Sequence, residues 1–338
     1  MTQTLSPNLE LLRIVISVAI VVAFAFGNAA IMVLVERKIA GHIQRRPGPY
    51  EVGPHGILQT AVDGVKLIAK QVLVPRGASR NLFRLAPLLS FVPPIAALIV
   101  VPFSSSLQVR DLDIGVLFIL ALAAINVLAI LIAGWSSANK YSLFGAIRSV
   151  AQNVAYEIPL LLSLLTVVLW VGSFSMADIV KAQGGYWFLF TPMGFVAFVM
   201  YFVTGLAETN RAPFDLPEAE SELTAGFHTE YAGMGFGLFF LGEYTNMVLV
   251  CAIATTLFLG GWNGPAFLAV SGPGVLANLY QLAWFLVKAY GLLVVMIWIR
   301  WTFPRVRFDQ LLNFCWKVLI PISMANLAAT AIWLKVIE

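Results

Sequence analysis

Long apolar runs recur along almost the whole chain, separated by short polar segments. Each run of about 20 residues is long enough to cross a bilayer core of roughly 30 Å. They lie near 14–35, 86–103, 114–133, 154–172, 191–207, 236–260, 278–299 and 311–336. Period-two alternation, the mark of a membrane β-barrel, is not seen in them. The pattern predicts an all-α polytopic membrane protein with about eight transmembrane helices in a single transmembrane domain over 1–338.

Composition and charge agree with this class. Hydrophobic residues make up 60% of the chain, charged residues 11%, and the mean hydropathy is +0.87. Most basic residues fall in one set of loops, near 36–85, 134–153, 208–235 and 300–310. Because cytoplasmic loops are enriched in Lys and Arg, we expect these loops in the cytoplasm and the N-terminus outside. The sequence contains no basic patch with interleaved aromatic residues, the pattern that would predict nucleic-acid binding.

Cysteine and histidine predict no metal centre. The two cysteines lie in separate apolar spans, and the three histidines, His42, His55 and His228, lie in or beside polar loops. None of these spacings matches a zinc, haem or iron–sulphur motif. Electron carriers, if the protein takes part in redox chemistry, would belong to another subunit.

The first basic loop carries a second helical pattern. Residues 47–54 are turn-forming, and helical periodicity resumes at about His55. Four polar residues recur on one stripe of this predicted helix: Gln59, Asp63, Lys66 and Lys70. Two interpretations remain open: an amphipathic helix lying on the membrane surface, or a helix whose polar seam lines a cavity. Asp63 and Lys66 are spaced as an ordinary i,i+3 surface pair.

An acidic segment at 206–231 interrupts the apolar pattern. It contains Glu208, Asp215, Glu218, Glu220, Glu222 and Glu230 against one basic residue, Arg211. Carboxylates crowded beside a low-dielectric region raise one another's pKa values, which suits proton uptake and release. A solvated loop is the alternative, although Pro213 and Pro217 favour an irregular, shaped segment.

Three charged residues lie inside predicted spans: Glu157, Glu243 and Lys288. Ser149 and Asn153 precede Glu157 at four-residue spacing and form a polar seam with it. An ionisable residue in a span marks a pathway or a paired charge. A proton relay and a structural pair between Glu243 and Lys288 are both open. The basic residues of 300–310 indicate topology only.

Several segments together resemble the H subunit family of bacterial NADH–quinone oxidoreductase (respiratory complex I), the equivalent of mitochondrial NADH dehydrogenase subunit 1. The resemblance rests on 36–49, GILQTAVDGVKLIAK at 56–70, GWSSANKYSLFGAIRSVAQNVAYE at 134–157, AETNRAPFDLPEAESEL at 207–223, GFHTEY at 226–231, Glu243-Tyr244 and PRVRFDQL at 304–311. The chain departs from the family pattern at Lys70-Gln71-Val72 and Glu218-Ala219-Glu220, where relatives often carry Lys-Glu-Asp and Glu-Gly-Glu.

The resemblance implies a quinone-access chamber and the start of a line of buried charges, with no complete active site in this chain alone. The chamber mouth or arm-docking surface would comprise Glu36, Arg37, Arg46, Asp63, Lys66 and Lys70. The loop that responds to quinone reduction would comprise Glu208, Arg211, Asp215, Glu218, Glu220 and Glu222. Glu157 and Glu243 would continue the charge line, with Lys288 as a further relay candidate.

The same resemblance implies the partners. Quinone would be the substrate, and flavin and iron–sulphur clusters would lie only in peripheral-arm subunits. Antiporter-like and small membrane-arm subunits and membrane lipid would surround the chain in a bacterial inner membrane. Other interpretations are the equivalent subunit of a membrane-bound hydrogenase or other-donor dehydrogenase, a stand-alone proton-coupled transporter, and a passive anchor for a soluble arm.

Overall fold

The computed structural model describes residues 7–217, 224–264 and 274–337. The described ranges contain helices and irregular segments and no strand, which confirms the predicted all-α class. The α-helices are α1 (Pro7–Ile43), α2 (Gln59–Ala69), α3 (Arg80–Leu98), α4 (Gly115–Ser136), α5 (Lys140–Val171), α6 (Met176–Ala182), α7 (Pro192–Glu208), α8 (Met234–Phe258), α9 (Val275–Thr302), α10 (Phe308–Phe314) and α11 (Ile320–Ile337). Short 3₁₀ turns lie at Pro54–Gly56, Phe188–Phe190 and Gly226–His228.

Seven helical stretches among the described residues are long and apolar enough to cross a membrane: α1, α3, α4, α5, α8, α9 and the joined α10–α11. The apolar helix α7 has 17 residues and supplies an eighth candidate. These helices correspond one for one to the predicted apolar runs. The chain is therefore a multi-pass membrane protein.

Helix bounds differ from the predicted runs where polar residues extend a helix. α1 continues past 35 to Ile43, so Glu36 and Arg37 lie within this helix. α5 begins at Lys140, well before the predicted span at 154, because Asn139 caps it by accepting a hydrogen bond from the Tyr141 backbone N–H at 2.9 Å. A hydropathy window cannot register such polar helical turns.

Local sequence explains two further features. A π-helical turn, Cys315–Leu319, joins α10 to α11 within one long apolar stretch. Pro321 follows it and has no backbone N–H to donate, which favours a wider turn before it. Short α6 was not predicted; Ser175 caps it by accepting a hydrogen bond from the Asp178 backbone N–H.

Small residues allow the helices at the centre to approach closely. A Cβ on Gly134 of α4 would collide with Ala146 of α5, and one on Gly205 of α7 would meet Val250 of α8. Gly134 directly follows the predicted apolar run at 114–133, so the polar seam of α5, which begins at Ser149, lies level with apolar residues of its neighbour. Protein contacts must therefore satisfy that seam.

Candidate functional site

Four charged side chains from four separate parts of the chain meet at one end of the bundle. This charge cluster consists of Glu36 (α1), Arg211 (after α7), Glu243 (α8) and Arg300 (α9). Arg211 contacts both acids, with Nη1 lying 3.8 Å from Glu36 Oε1 and Nη2 lying 3.4 Å from Glu243 Oε2. Arg300 pairs with the same oxygen of Glu36.

The charge cluster is buried and electrically balanced. The side chains of Glu36 and Arg211 are 6% and 5% exposed, and that of Glu243 is 16% exposed. Burying such charges costs several kcal/mol per ion unless each finds a partner of opposite sign. Two carboxylates with two guanidinium groups meet that requirement. Because the four side chains are linked by ion pairs, a change of charge at one of them changes the electrostatic potential at the others.

Tyr244 connects the charge cluster to a neighbouring cleft. Its hydroxyl donates a hydrogen bond of 2.6 Å to Glu36 Oε2, and the Arg211 guanidinium lies over its ring at 4.5 Å from the centroid. The same tyrosine forms part of the cleft wall. One aromatic side chain therefore separates the cleft from the buried charges.

The cleft lies between α1, α2 and α8 and has a volume of about 660 Å³. Its walls are mainly apolar, with Phe26, Val33, Phe236, Phe240 and Leu241 among them. Arg37, Asp63, Lys66 and Lys70 also line it. A volume of this size with apolar walls and a few polar groups is typical of small-molecule sites.

The polar stripe of α2 borders the cleft: Asp63, Lys66 and Lys70 line it, which favours the interpretation of a helix whose polar seam lines a cavity. Arg37 Nη1 binds Asp63 Oδ2 at 2.5 Å, and Gln59 donates to Asp63 Oδ1 at 3.0 Å. Burial raises the pKa of the Asp63 carboxyl, but the Arg37 and Gln59 hydrogen bonds outweigh it and hold that pKa below its usual value. Asp63 thus takes Arg37 of α1 as its bonded partner, and Lys66 acts on it only through its charge.

Not every residue of the predicted chamber mouth lies on the cleft. Glu36 lies behind Tyr244, within the charge cluster. Arg46 is exposed, donates to Gln44 at 2.6 Å and is not among the residues that line the cleft. Its role in docking stays a prediction.

The polar seam of α5 holds the segment after α7. Gln152 donates to the carbonyl oxygens of Ala207 at 2.8 Å and Phe214 at 2.9 Å, and Ser149 donates to Asn210 Oδ1 at 3.3 Å. Gln152 and Ser149 are buried. These bonds satisfy backbone groups of an irregular segment beside the bundle and fix the position of Arg211.

A second tie joins this segment to the loop after α9. Arg305 binds Asp215 at 2.9 Å, and the Val306 backbone N–H donates to the Pro213 carbonyl at 3.2 Å. The irregular, shaped segment that the prolines predicted is confirmed over 209–217. Three predicted acids, Glu218, Glu220 and Glu222, lie outside the described residues.

Buried polar groups continue from the charge cluster between the helices. A small cavity is lined by Glu243 and Glu208 together with Ser90, Asn126, Asn210 and Asn246. Glu157 lies close enough to Glu208 for their charges to interact. The structure thus brings Glu243, Glu208 and Glu157 into one region, as the predicted charge line requires; their role as a relay stays a prediction.

Lys288 lies elsewhere. Its ammonium donates to the backbone carbonyls of Leu259 (2.7 Å), Gly261 (2.8 Å) and Asn263 (2.7 Å) and lies over the Trp187 ring at 4.6 Å. Leu259 follows Glu243 by roughly 24 Å of helix. The alternative of a Glu243–Lys288 pair was therefore wrong.

Sequence reasoning missed Tyr244, Arg300 and Arg305 as site residues. The basic loop pattern indicates only topology for the two arginines, and nothing in the spacing distinguishes the tyrosine from other aromatic residues of the spans. One signal was available: Glu36 follows a long apolar run, and a carboxylate placed there needs a cationic partner. Only the fold identifies that partner, since 264 residues separate Glu36 from Arg300.

The fold and this site define a polytopic helical membrane protein with a buried charge cluster beside an apolar cleft. The family model described as NADH dehydrogenase matches residues 16–331. The chain belongs to this family.

Curated relatives share one name, the H subunit of NADH-quinone oxidoreductase. One from Desulfotalea psychrophila is 50% identical over 97% of this chain and 99% of its own length. Another from Dehalococcoides mccartyi is 46% identical over 95% of this chain and 86% of its own length. A third, from Carboxydothermus hydrogenoformans, is 45% identical over 95% and 89%. This similarity places the chain among membrane subunits of an oxidoreductase complex.

Proposed function

We propose that this chain forms the quinone-access cleft of a membrane-bound NADH–quinone oxidoreductase and couples quinone reduction to proton translocation. The shared name of the relatives supports the reaction. The observation that carries the role of this chain is Tyr244, which forms part of the cleft wall and donates a hydrogen bond to buried Glu36.

The proposal includes partners and orientation. Electrons would arrive from iron–sulphur clusters in peripheral-arm subunits, which also hold the flavin, and antiporter-like and small subunits would complete the membrane arm. The charge cluster end would face the cytoplasm of a bacterial inner membrane, with the N-terminus outside. The excess of Lys and Arg in the loops of that end supports this orientation.

Coupling would begin with charge in the cleft. Reduction of a quinone there creates negative charge and consumes protons, in a site whose walls are mainly apolar. At an effective dielectric near 20, unit charges 4 Å apart interact by about 4 kcal/mol. A charge beside Tyr244 would therefore act on the hydrogen-bonded Glu36 carboxylate and, through it, on both arginines of the charge cluster.

Arg211 gives the next step a physical route. It contacts Glu36 and Glu243 at once, so a weaker hold on one acid changes the electrostatic potential at the other. Glu243 shares a small polar cavity with Glu208, and Glu208 interacts with Glu157. These acids would respond together, rather than singly, to a change of charge in the cleft. Glu218, Glu220 and Glu222 follow the same segment and are proposed to respond with it.

A matched pair of substitutions in α1 tests the cleft. Ala30 is half-buried on the cleft wall, whereas Ala19 of the same helix is exposed and does not line it. We expect Ala30→Trp to lower kcat/KM for a long-chain quinone by at least about tenfold through lost cleft volume. NADH oxidation by a water-soluble artificial acceptor should be unchanged, because that electron path does not use the cleft.

The control Ala19→Trp should leave both activities unchanged. Equal quinone kinetics in the two variants would remove the cleft from the proposal. Mass spectrometry of the purified complex provides an independent check of the electron donor: a nickel–iron hydrogenase-like arm in place of a flavin-containing NADH arm would contradict the NADH assignment.

A further inference from the structure

A second cleft lies at the other end of α1, away from the charge cluster. It has a volume of about 360 Å³ between α1, α9 and the segment that follows α3. Its apolar walls comprise Ile20, Val21, Phe24, Phe103, Leu282 and Leu286. Leu107 and Val109 also line it, together with four polar residues: Arg13, Ser17, Ser106 and Gln108.

The dimensions along α1 set the depth of this cleft in the bilayer. Roughly 35 Å of helix separates Arg13 from Glu36, slightly more than a bilayer core of about 30 Å. We therefore expect Arg13 at headgroup level in the leaflet opposite the charge cluster. From Arg13 to Phe24 is roughly 16 Å, which is close to the depth of one leaflet's hydrocarbon.

Arg13 supplies charge at the mouth. Its side chain is exposed and makes no hydrogen bond or ion pair with the described residues. Asp111, a carboxylate of the same region, instead accepts hydrogen bonds from Ser175 at 3.1 Å and Gln108 at 3.4 Å. A guanidinium at headgroup level above an apolar cleft is complementary to a phosphate that carries a hydrocarbon chain.

We propose that this cleft binds one phospholipid of the leaflet opposite the charge cluster. The phosphodiester would bind Arg13, with the hydroxyls of Ser17 and Ser106 close by, and one acyl chain would lie along Ile20 and Phe24. The lipid would fill the space between α1 and α9 and hold the outer half of α1 against the bundle. This site is separate from the proposed quinone cleft, which uses the other half of α1.

Photolabelling of the purified complex tests the site. The complex is reconstituted in vesicles of phosphatidylcholine and phosphatidylglycerol that contain a phosphatidylglycerol with a diazirine in its acyl chain. We expect label on peptides containing Ile20–Phe24 and Leu282–Leu286, measured by mass spectrometry. Arg13→Gln should reduce this label about tenfold, the loss expected for one charge-assisted bond.

Two further variants keep the test decisive. Ser17→Phe fills the cleft while Arg13 remains and should also reduce the label at least about tenfold. Lys335→Gln removes an exposed positive charge from α11, which does not line the cleft, and should leave the label unchanged.

Equal label in Arg13→Gln and the unchanged protein would overturn the proposal. So would displacement of the label by excess long-chain quinone, since the cleft would then belong to the quinone path. Cross-linking of a Ser17→Cys variant to a partner subunit in place of lipid would assign the cleft to a protein interface. None of these measurements depends on quinone reduction, so they stand apart from the proposed function.

Discussion

The two ends of the bundle satisfy their buried polar groups in different ways. At the charge cluster end, titratable carboxylates pair with arginines that come from distant parts of the chain. At the other end, backbone carbonyls bind Lys288, and Gln183 binds backbone groups: it donates to Thr256 O at 2.9 Å and accepts from Gly260 N at 3.0 Å. We therefore expect proton-linked change at the charge cluster end, where the buried polar groups include carboxylates, rather than at the Lys288 end, where they are mainly backbone groups.

Two glycines define the backbone turn that binds Lys288. Gly260 and Gly261 have φ of 70° and 52°, and a Cβ at either position would meet Trp187 or Val180. The turn is thus specified by two residues without side chains, and Lys288 binds the carbonyls that the turn presents. This arrangement favours a structural role for Lys288 over the proton relay that the sequence suggested.

The largest expected effect is removal of the shared arginine of the charge cluster. Arg211→Met leaves Glu36 and Glu243 buried with less compensation, and we expect a loss of about 3–5 kcal/mol in stability. The amount of assembled complex in membranes and its thermal unfolding in mild detergent measure this loss.

Arg305→Met is the matched control, because its ion pair with Asp215 is more exposed and should contribute about 0–1 kcal/mol. Similar losses in the two arginine variants would contradict the buried, interdependent character assigned to the charge cluster.

The next effect tests the opposite end. Lys288→Met leaves three backbone carbonyls without their donor, and we expect a loss of about 2–3 kcal/mol in stability. The pH profile of quinone reduction should keep its shape, because the Lys288 ammonium binds these carbonyls and takes no part in the proposed charge line.

Lys181→Met provides the comparison: Lys181 is exposed and pairs with Asp178 within α6, so little stability should be lost. A Lys288 variant of normal stability with a shifted pH profile would restore the relay interpretation.

A smaller effect is expected at the boundary of the quinone cleft. Tyr244→Phe deletes the hydroxyl that donates to Glu36 and should cost about 1 kcal/mol in stability. We expect a larger fall in quinone-coupled proton pumping than in stability, measured as the ratio of protons moved to NADH oxidised. Tyr290→Phe deletes a hydroxyl that donates to Asn28 instead and should keep the normal ratio. Equal ratios in the two variants would sink the coupling role of Tyr244.

The smallest expected effect concerns pH and the Arg37–Asp63 pair. Because the pKa of Asp63 is lowered in the folded protein, this pair stabilises the contact between α1 and α2 above the usual value of 3.8, and the stabilisation is lost as the pH falls through the folded pKa. We expect weaker protection of α2 amides in hydrogen exchange below about pH 4.

Arg37→Gln should produce the same loss at neutral pH, with a magnitude below about 1 kcal/mol since both side chains are partly exposed. Arg46→Gln removes an arginine that does not bind Asp63 and should leave the exchange of α2 unchanged. Acid-insensitive exchange of α2 in the unchanged protein would show that the pair does not hold the helix.

Hydropathy determined the number and order of the spanning helices because a bilayer fixes their length locally, within about 20 residues. Hydropathy did not predict the polar ends of two helices. The beginning of α5 at Lys140 depends on a cap, and the part of α1 that carries Glu36 continues beyond the apolar run. The acids of 206–231 were recognised as a candidate site from their concentration alone.

Only the tertiary structure decided which charged side chains form ion pairs with one another. The sequence offered Lys66 for Asp63 and Lys288 for Glu243; the fold supplies Arg37 for the first and Arg211 for the second. The polar stripe of α2 suggested a cavity, but the connection of the cleft to the charge cluster through Tyr244 has no sequence signature, because it arises from lateral packing of α1 against α8. Spacing along a chain fixes which residues share a helix face, whereas the contact between faces depends on how distant helices pack.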